Sequence, residues 1–172
     1  MTRITHAIAA GLVLAMCAAP AAAQTPVRFS VVGGLSLPIG DLGNNTDLGL
    51  NLALRGEGRP VAPNWGVRGD VTYDHYAGHG TVDEYSYLAF AANLVHHETR
   101  QRMYEFGGLG VYNSKVGFRN ALDRSETSLG MQLGAGFELT ADRRVFTEFG
   151  LTGAFTSGRS SVWFPVRVGL RF

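Results

Sequence analysis

The residues whose types and spacing could do chemistry are concentrated in one short segment. Asp74, His75 and His79 lie within six positions, and Asp83 and Glu84 follow closely. Two imidazoles with nearby carboxylates could bind a metal ion, or His75 could act as a base in lipid chemistry. A solvated polar rim at the end of a strand explains the same residues, and we favour that interpretation. The sequence therefore predicts no catalytic residue, no metal site and no cofactor.

Two further histidines, His96 and His97, are adjacent in the sequence. Neighbouring side chains of an extended strand point to opposite faces, so these two imidazoles cannot readily form one site. We interpret them as a polar pair near the end of a strand.

A second set of charged side chains recurs at alternating positions along the chain. It contains five arginines and five acids: Arg28, Arg55, Arg68, Arg167, Arg171, Asp70, Asp74, Glu105, Glu138 and Glu148. An enclosed charge needs a partner, because an unpaired one costs several kcal/mol. Equal numbers of the two signs therefore predict an ion network inside a closed structure.

The elements that must position these charges are eight alternating segments: 27–37, 48–55, 65–76, 85–96, 103–114, 128–139, 145–155 and 164–172. The last segment is the clearest, with an uninterrupted apolar face of Phe164, Val166, Val168, Leu170 and Phe172. A two-residue period with one apolar face is what a membrane-spanning β-strand requires. The pattern predicts an all-β fold, an eight-stranded antiparallel up-and-down transmembrane barrel.

Two of these segments carry signs of irregular pairing. Leu109 and Val111 fall on the same face as Glu105, so a bulge at Gly107 and Gly108 would switch the phase of the fifth segment. In the last segment Pro165 removes one ladder hydrogen bond, which suggests a local bulge. The outer connections, by this count, are 39–47, 77–84, 116–127 and 156–161.

The same alternation in a soluble ligand-binding barrel would have the opposite sidedness, with apolar residues inside. Glycine is a poor choice on a water-facing strand but suits a narrow lumen, and the polar face carries Gly49, Gly66, Gly130, Gly134, Gly136, Gly150 and Gly169. Aromatic residues also fall into two predicted interfacial belts: Phe29, Trp65, Tyr104, Phe137, Phe149 and Phe172, then Tyr73, Tyr85, Tyr112, Phe155 and Trp163. Both features predict that the polar face is inside, and we find no charge on the other face.

The first 23 residues have a basic start, an apolar middle and a small-residue ending, so we expect a signal peptide 1–23 cleaved after Ala23 and a barrel domain 24–172. A lipoprotein signal at Cys17 is the alternative, although Met16 is large for its position. Removal of Arg3 leaves 14 basic and 14 acidic residues without a basic patch, so nucleic acid is not an expected partner.

The terminal segment, the eight alternating segments and the glycine-rich stretch 33–41 together resemble the small eight-stranded outer-membrane β-barrel family, OmpA/OmpX-like or "porin family". The resemblance covers residues 27–172. It implies export across the inner membrane and residence in the outer membrane of a Gram-negative bacterium. It also implies that Phe164 to Phe172 is the signal for the outer-membrane insertion machinery.

We therefore expect a monomer with a filled lumen and a non-enzymatic structural or surface-interaction role in the cell envelope. Its expected partners are outer-membrane lipid and lipopolysaccharide, whose phosphates could contact Lys115, Arg119, Arg124 and Arg159. Two alternatives are a narrow porin-like channel for small solutes and a lipid A-modifying enzyme. The histidine and serine spacing of such enzymes is not found here.

Overall fold

The computed structural model describes residues 27–98, 101–119, 122–156 and 159–172. Within these ranges the chain forms eight strands: β1 (Arg28–Ile39), β2 (Gly49–Ala62), β3 (Trp65–Ala77), β4 (Val82–His97), β5 (Met103–Phe118), β6 (Arg124–Glu138), β7 (Val145–Thr156) and β8 (Arg159–Arg171). They follow one another in a closed barrel, and the β1–β8 pair that closes it is antiparallel like all the others. No helix in the described ranges is long and apolar enough to cross a membrane. The predicted fold class is confirmed.

The two faces of each strand differ sharply, as β2 illustrates. Leu50, Leu52 and Leu54 are each about 60% exposed on the outside, whereas Asn51 and Arg55 are buried inside. In water these leucine rows would form a large unfavourable apolar patch, but in a bilayer they contact acyl chains. The structure therefore has the predicted sidedness, with the polar face inside.

The barrel has two distinct ends. We call the end with the first residue of β1 and the last of β8 the terminal end; its connections are 63–64, 98–102 and 139–144. The opposite end, which we call the loop end, has the connections 40–48, 78–81, 119–123 and 157–158. Strands β4 and β5 contain 16 residues each and extend beyond their predicted limits at the loop end.

Neither predicted bulge is present. Gly107 and Gly108 pair with β4 and β6 without a shift in register, so Glu105, Leu109 and Val111 share the outer face. Pro165 also keeps the register of β8 with β1. The irregularities lie instead near strand ends, between Gly58 and Ala62 and between Val82 and Glu84. A shift there leaves the inward and outward rows of the barrel wall intact.

Four aromatic residues assigned to the interfacial belts occupy inward-facing positions instead: Tyr85, Tyr104, Tyr112 and Trp163. Tyr104, Tyr112 and Trp163 are at most 2% exposed. Tyr104 lies in a cluster towards the terminal end with Val32, Phe106 and Phe146, whereas Tyr112 and Trp163 lie in a second cluster at the loop end, against which Tyr85 packs. Side-chain direction in a strand is set by whether the position is odd or even in the alternation, so the distance of a ring from the strand end does not determine the face on which it lies.

Candidate functional site in the barrel interior

The centre of the lumen is organised around the carboxylate of Glu148 on β7. Its Oε2 lies 2.6 Å from Nη1 of Arg55, and its Oε1 lies 2.9 Å from Nη1 of Arg68. The hydroxyl of Tyr104 donates to the same Oε1 at 2.8 Å. Arg167 is more distant, with Nη1 4.0 Å from Oε2. One buried carboxylate thus joins strands on opposite sides of the barrel.

A second carboxylate, that of Asp70, completes the network. The guanidinium of Arg68 donates to both oxygens of Asp70, from Nε at 2.9 Å and from Nη2 at 3.0 Å. The side-chain amides of Asn93 and Gln132 each donate to Oδ2 at 3.2 Å. The Arg68 guanidinium also lies 4.2 Å from the centre of the Phe106 ring. Two-point pairing with further hydrogen bonds is the geometry in which a buried ion pair best offsets its loss of hydration.

Charge is balanced within this central layer. Three guanidinium groups face three carboxylates, and all six side chains are buried: Arg55, Arg68, Arg167, Asp70, Asp74 and Glu148. Asp74 accepts a hydrogen bond of 2.5 Å from the amide of Asn51. We call these six side chains the central ion network. Because its charges cancel, it can be enclosed without a net charge that would require a counter-ion.

Aromatic side chains close the lumen above the network, towards the loop end. The ring of Trp163 stacks on Tyr87 with centroids 4.6 Å apart and meets the edge of Tyr112 at 5.8 Å. The hydroxyl of Tyr76 is 2.7 Å from that of Ser36. Leu42, from the first loop, packs into the same cluster. We call Leu42, Tyr76, Tyr87, Tyr112 and Trp163 the aromatic plug.

Inward-facing glycines make room for the large rings. A Cβ atom at Gly136 would overlap the ring of Tyr104, and one at Gly169 would overlap that of Phe146. The same relationship holds for the pairs Gly49 with Tyr76, Gly130 with Tyr112 and Gly134 with Phe106. The inward glycines thus accompany a lumen too narrow for two large side chains at one level, which leaves no room there for an open channel.

Three pairs of ionisable side chains lie below the network at the terminal end. The imidazole of His97 lies 2.7 Å from a carboxylate oxygen of Glu57. Glu138 is 2.9 Å from Arg171 and 3.2 Å from Arg143, measured from its two carboxylate oxygens to guanidinium nitrogens. These pairs sit where the lumen meets the solvent.

The adjoining turn 139–144 is fixed by Asp142. The hydroxyl of Thr140 donates to its carboxylate at 2.6 Å, and the amide of Arg144 donates at 3.1 Å. These hydrogen bonds favour the charged form and hold the pKa of Asp142 below its usual value. The carboxylate is thereby available to order the turn over a wider pH range.

The predicted interior charges divide into two groups. The structure buries Arg55, Arg68, Asp70, Asp74, Glu138, Glu148, Arg167 and Arg171. Arg28 is exposed at the terminal end, and Glu105 is exposed on the outer face opposite His96. The placement of Glu105 inside was wrong because it depended on the absent bulge, and with it the prediction that the outer face carries no charge. Three partners, Asn51, Asn93 and Gln132, were not predicted although they occupy inward positions of the alternating pattern. Tyr104 was not predicted because it had been assigned to an outer aromatic belt.

The histidine segment is not assembled into a site. Asp74 points inward while His75 points outward, stacked on Tyr73 at 6.4 Å between ring centroids. His79 lies 3.1 Å from Asp47 in the loops. In the part of the chain that the structure describes, no group of three or more histidine, cysteine, aspartate or glutamate residues could hold a metal ion. His96 and His97 point to opposite faces as the sequence predicts, since His96 packs against Trp65 outside and His97 contacts Glu57 inside.

The terminal strand presents Val166, Val168, Leu170 and Phe172 outward, with Phe164 half-buried on the same face. Phe172, which directly follows β8, is held by two backbone hydrogen bonds to Phe29, of 2.9 and 3.3 Å. The end of β8 is thus part of the seam that closes the barrel.

A pocket of about 510 Å³ opens at the loop end, above the aromatic plug. Its lining includes Asp41, Tyr85, Phe118, Arg124 and Glu126. Of the loop cations expected to contact phosphates, Lys115 lies 3.0 Å from Asp123, and Arg119 lies 3.7 Å from Asp83. The side chain of Arg159 lies outside the described part of the chain. The pocket itself is lined by charges of both signs, from Arg124 and from Asp41 and Glu126.

Comparison with known proteins gives a consistent result. The family model "Outer membrane protein beta-barrel domain" matches residues 8–172. No curated protein matches the sequence. Among solved structures, the chain is similar to Ail, the attachment invasion locus protein of Yersinia pestis, in a complex with the heparin analogue sucrose octasulfate. The two sequences are 21% identical, the TM-score is 0.63, and the match covers 85% of this chain and 97% of Ail.

Two other solved barrels show the same fold. Neisserial surface protein A is 15% identical, with a TM-score of 0.54 and coverage of 84% of this chain and 95% of that chain. OprG from Pseudomonas aeruginosa is 14% identical, with a TM-score of 0.53 and coverage of 86% and 97%.

Proposed function

Since the chain belongs to the outer membrane protein β-barrel family, we propose that it is a closed, non-enzymatic protein of the Gram-negative cell envelope with a structural or surface-interaction role. The observation that carries this proposal is the filled lumen. The central ion network spans the barrel between β3 and β7, and the aromatic plug lies directly above it. A solute would have to break both layers to pass.

The lumen can be tested by conductance in planar bilayers. We expect the purified protein to give no steady steps of conductance above the background of the bilayer. The positive control is a variant with four substitutions. Tyr87→Ala and Trp163→Ala remove the two stacked rings of the aromatic plug, and Arg68→Ala and Glu148→Ala remove the ion pair that joins β3 to β7. Steady conductance of the native protein at the level of this variant would contradict a closed lumen and favour a narrow channel.

Orientation and export belong to the same proposal. We infer that residues 1–23 are removed on export, that the terminal end faces the periplasm, and that the apolar face of the last strand is recognised by the insertion machinery. The residues 1–23 lie outside the described part of the chain. Amino-terminal sequencing of the protein from outer-membrane fractions should begin at Gln24. A monomer that migrates faster on a gel before boiling than after is expected from the same fractions.

The absence of an enzymatic role is also a proposal. It is supported by the opposite directions of Asp74 and His75, which keep an acid and an imidazole from acting on one lipid. Overexpression should leave the acylation pattern of lipid A unchanged, as read by mass spectrometry. An altered pattern that disappears in His75→Ala would establish a lipid-modifying enzyme instead.

The ligand of Ail does not transfer to this chain. The loop-end segments 39–48, 77–86, 113–127 and 156–161 carry six acidic and four basic residues. A heparin analogue is polyanionic, and its recognition requires an excess of basic groups. The loop-end segments therefore lack the basic excess that would support the same ligand for this chain.

A further inference from the structure

The loop-end pocket is the mouth of the barrel rather than a cleft on its side. Tyr85, Phe118, Arg124 and Glu126 occupy inward-facing positions of the three strands β4, β5 and β6. The first loop forms part of the opposite wall, and Tyr87 of the aromatic plug lies at its floor. The pocket is therefore blind, and whatever enters it from outside can bind but not pass through.

One part of the wall is suited to an apolar group. Tyr85, Val116 and Phe118 are half-buried there, and the Tyr85 ring lies 5.1 Å from that of Tyr87. Ligand binding is favoured when the ligand removes from water the aromatic surface that borders a cavity. A pocket of about 510 Å³ is large enough for a small molecule with one ring or branched chain.

Three charged side chains line the same pocket without an ion pair. Within the described part of the chain, Asp41, Arg124 and Glu126 form none, and their side chains make no hydrogen bond. Arg124 and Glu126 are two positions apart on β6, so they share a face at a spacing of about 7 Å. A guanidinium and two carboxylates thus remain free to meet a ligand.

The other loop-end charges outside the pocket behave differently. Lys115 contacts both Asp123 and Glu84, and Arg119 contacts Asp83. Pairing is thus the common arrangement on this surface, and the unpaired charges coincide with the pocket. Both signs occur there, so a ligand with a single charge would leave one sign without a partner.

We propose that the loop-end pocket binds a small zwitterion with an apolar part. The anionic group of the ligand pairs with Arg124, its ammonium group pairs with Glu126 and Asp41, and its apolar part packs against Tyr85 and Phe118. This inference rests on the proposed function only in that the loop end must face the outside for the ligand to be extracellular. An α-amino acid with an apolar side chain shares this chemistry with a lipid that carries a phosphoethanolamine headgroup, whose apolar part is its acylglycerol.

Isothermal titration of the protein in lipid nanodiscs tests the proposal with four probes. L-phenylalanine carries both charges, its methyl ester carries only the ammonium group, and hydrocinnamate carries only the carboxylate. We expect phenylalanine to bind at least about fivefold more tightly than either single-charge analogue. O-phosphoethanolamine distinguishes the sources, because binding tighter than that of phenylalanine identifies a headgroup ligand and weaker binding an amino acid.

Substitutions assign the charges. Arg124→Gln should reduce the affinity for phenylalanine about fivefold and leave that for the methyl ester unchanged. Glu126→Gln should weaken the binding of phenylalanine and of its methyl ester but not the binding of hydrocinnamate. Glu84→Gln removes a carboxylate that pairs with Lys115 outside the pocket, and it should change none of these affinities.

Two results would overturn the proposal: no detectable binding of phenylalanine or phosphoethanolamine at millimolar concentration, or equal binding of phenylalanine and both single-charge analogues. Neither result would affect the closed lumen, which conductance measures independently. Conversely, a conducting barrel would leave the titration results valid.

Discussion

Arg68 and Glu148 are 80 positions apart in the sequence, yet their side chains meet through a 2.9 Å hydrogen bond at the centre of the barrel. They lie on β3 and β7, which are four strands apart in a closed ring of eight and therefore face each other. Their contact spans the full width of the lumen. The stability of the fold therefore depends on this contact, because each charge needs a partner on a strand that is distant in the chain. The same contact also blocks the lumen.

Replacement of Glu148 by Gln should strongly destabilise the barrel. The change keeps the shape of the side chain but removes the charge that faces Arg55 and Arg68, and a buried pair broken from one side costs about 3–5 kcal/mol. Urea titration in lipid vesicles, followed by tryptophan fluorescence, measures the loss. Glu84→Gln at an exposed pair is the control and should cost less than about 1 kcal/mol. Similar losses for the two variants would show that the network contributes little.

Gly169→Ala should be destabilising because of the ring of Phe146. The added methyl group would overlap that ring, which is itself buried, and overpacking of this kind costs about 1–3 kcal/mol. Phe146→Ala should then remove the penalty, so the double variant is more stable than the sum of the single effects implies. Gly107→Ala, in nearly open space on the outer face, is the control. If the effects of Gly169→Ala and Phe146→Ala on the free energy of unfolding were additive, this would contradict a steric overlap between the added methyl group and the Phe146 ring.

Glu105→Leu should preserve or increase stability in a bilayer. Glu105 is exposed on the outer face near the terminal end, in the same row as Trp65 and His96. A carboxylate there costs up to about 1 kcal/mol relative to an apolar residue, and the cost rises with depth in the bilayer. The gain should therefore be larger in vesicles of longer-chain lipids. A loss of more than about 1 kcal/mol would mean that the carboxylate has a stabilising partner.

Phe172→Ala should slow assembly in cells more than it affects the folded protein. If the last strand is read by the insertion machinery, the variant accumulates as the unfolded form in the periplasm, while its refolding yield in vesicles stays within about twofold of the native value. Phe29→Ala is the matched control, because Phe29 is also outward-facing and pairs with Phe172 through the backbone. Equal assembly defects in both variants would contradict a signal specific to the last strand.

The two-residue period predicted the architecture well because burial alternates so strictly in a barrel wall. The same rule placed Arg55, Arg68 and Arg167 on the inner face before any pairing was visible. Glu105 was misplaced because a bulge at Gly107 and Gly108 was predicted in order to separate Leu109 and Val111 from the face of Glu105. A carboxylate near a strand end is tolerated on the outer face, so the simpler uninterrupted register was the better prediction.

The partners of side chains that are distant in the chain, and the conformations of the loops, could not be predicted from the sequence. Nothing local to Tyr104 or Gln132 indicates that one reaches Glu148 and the other Asp70, since both contacts depend on the stagger of the closed sheet. Leu42 gave no signal either, because its burial follows from the fold of the first loop over the barrel mouth. The loop-end pocket, which lies beside that loop, was therefore not foreseen.

The division of the central ion network among β2, β3, β7 and β8 constrains how the protein reaches its native state. Until the seventh strand arrives, Arg55 and Arg68 lack their shared acid and must remain hydrated. Hydrocarbon offers neither water nor partners for an open sheet, so the early strands cannot enter the membrane one at a time. Dehydration of the inner row and entry into lipid must then occur together, late in assembly and as a single concerted event.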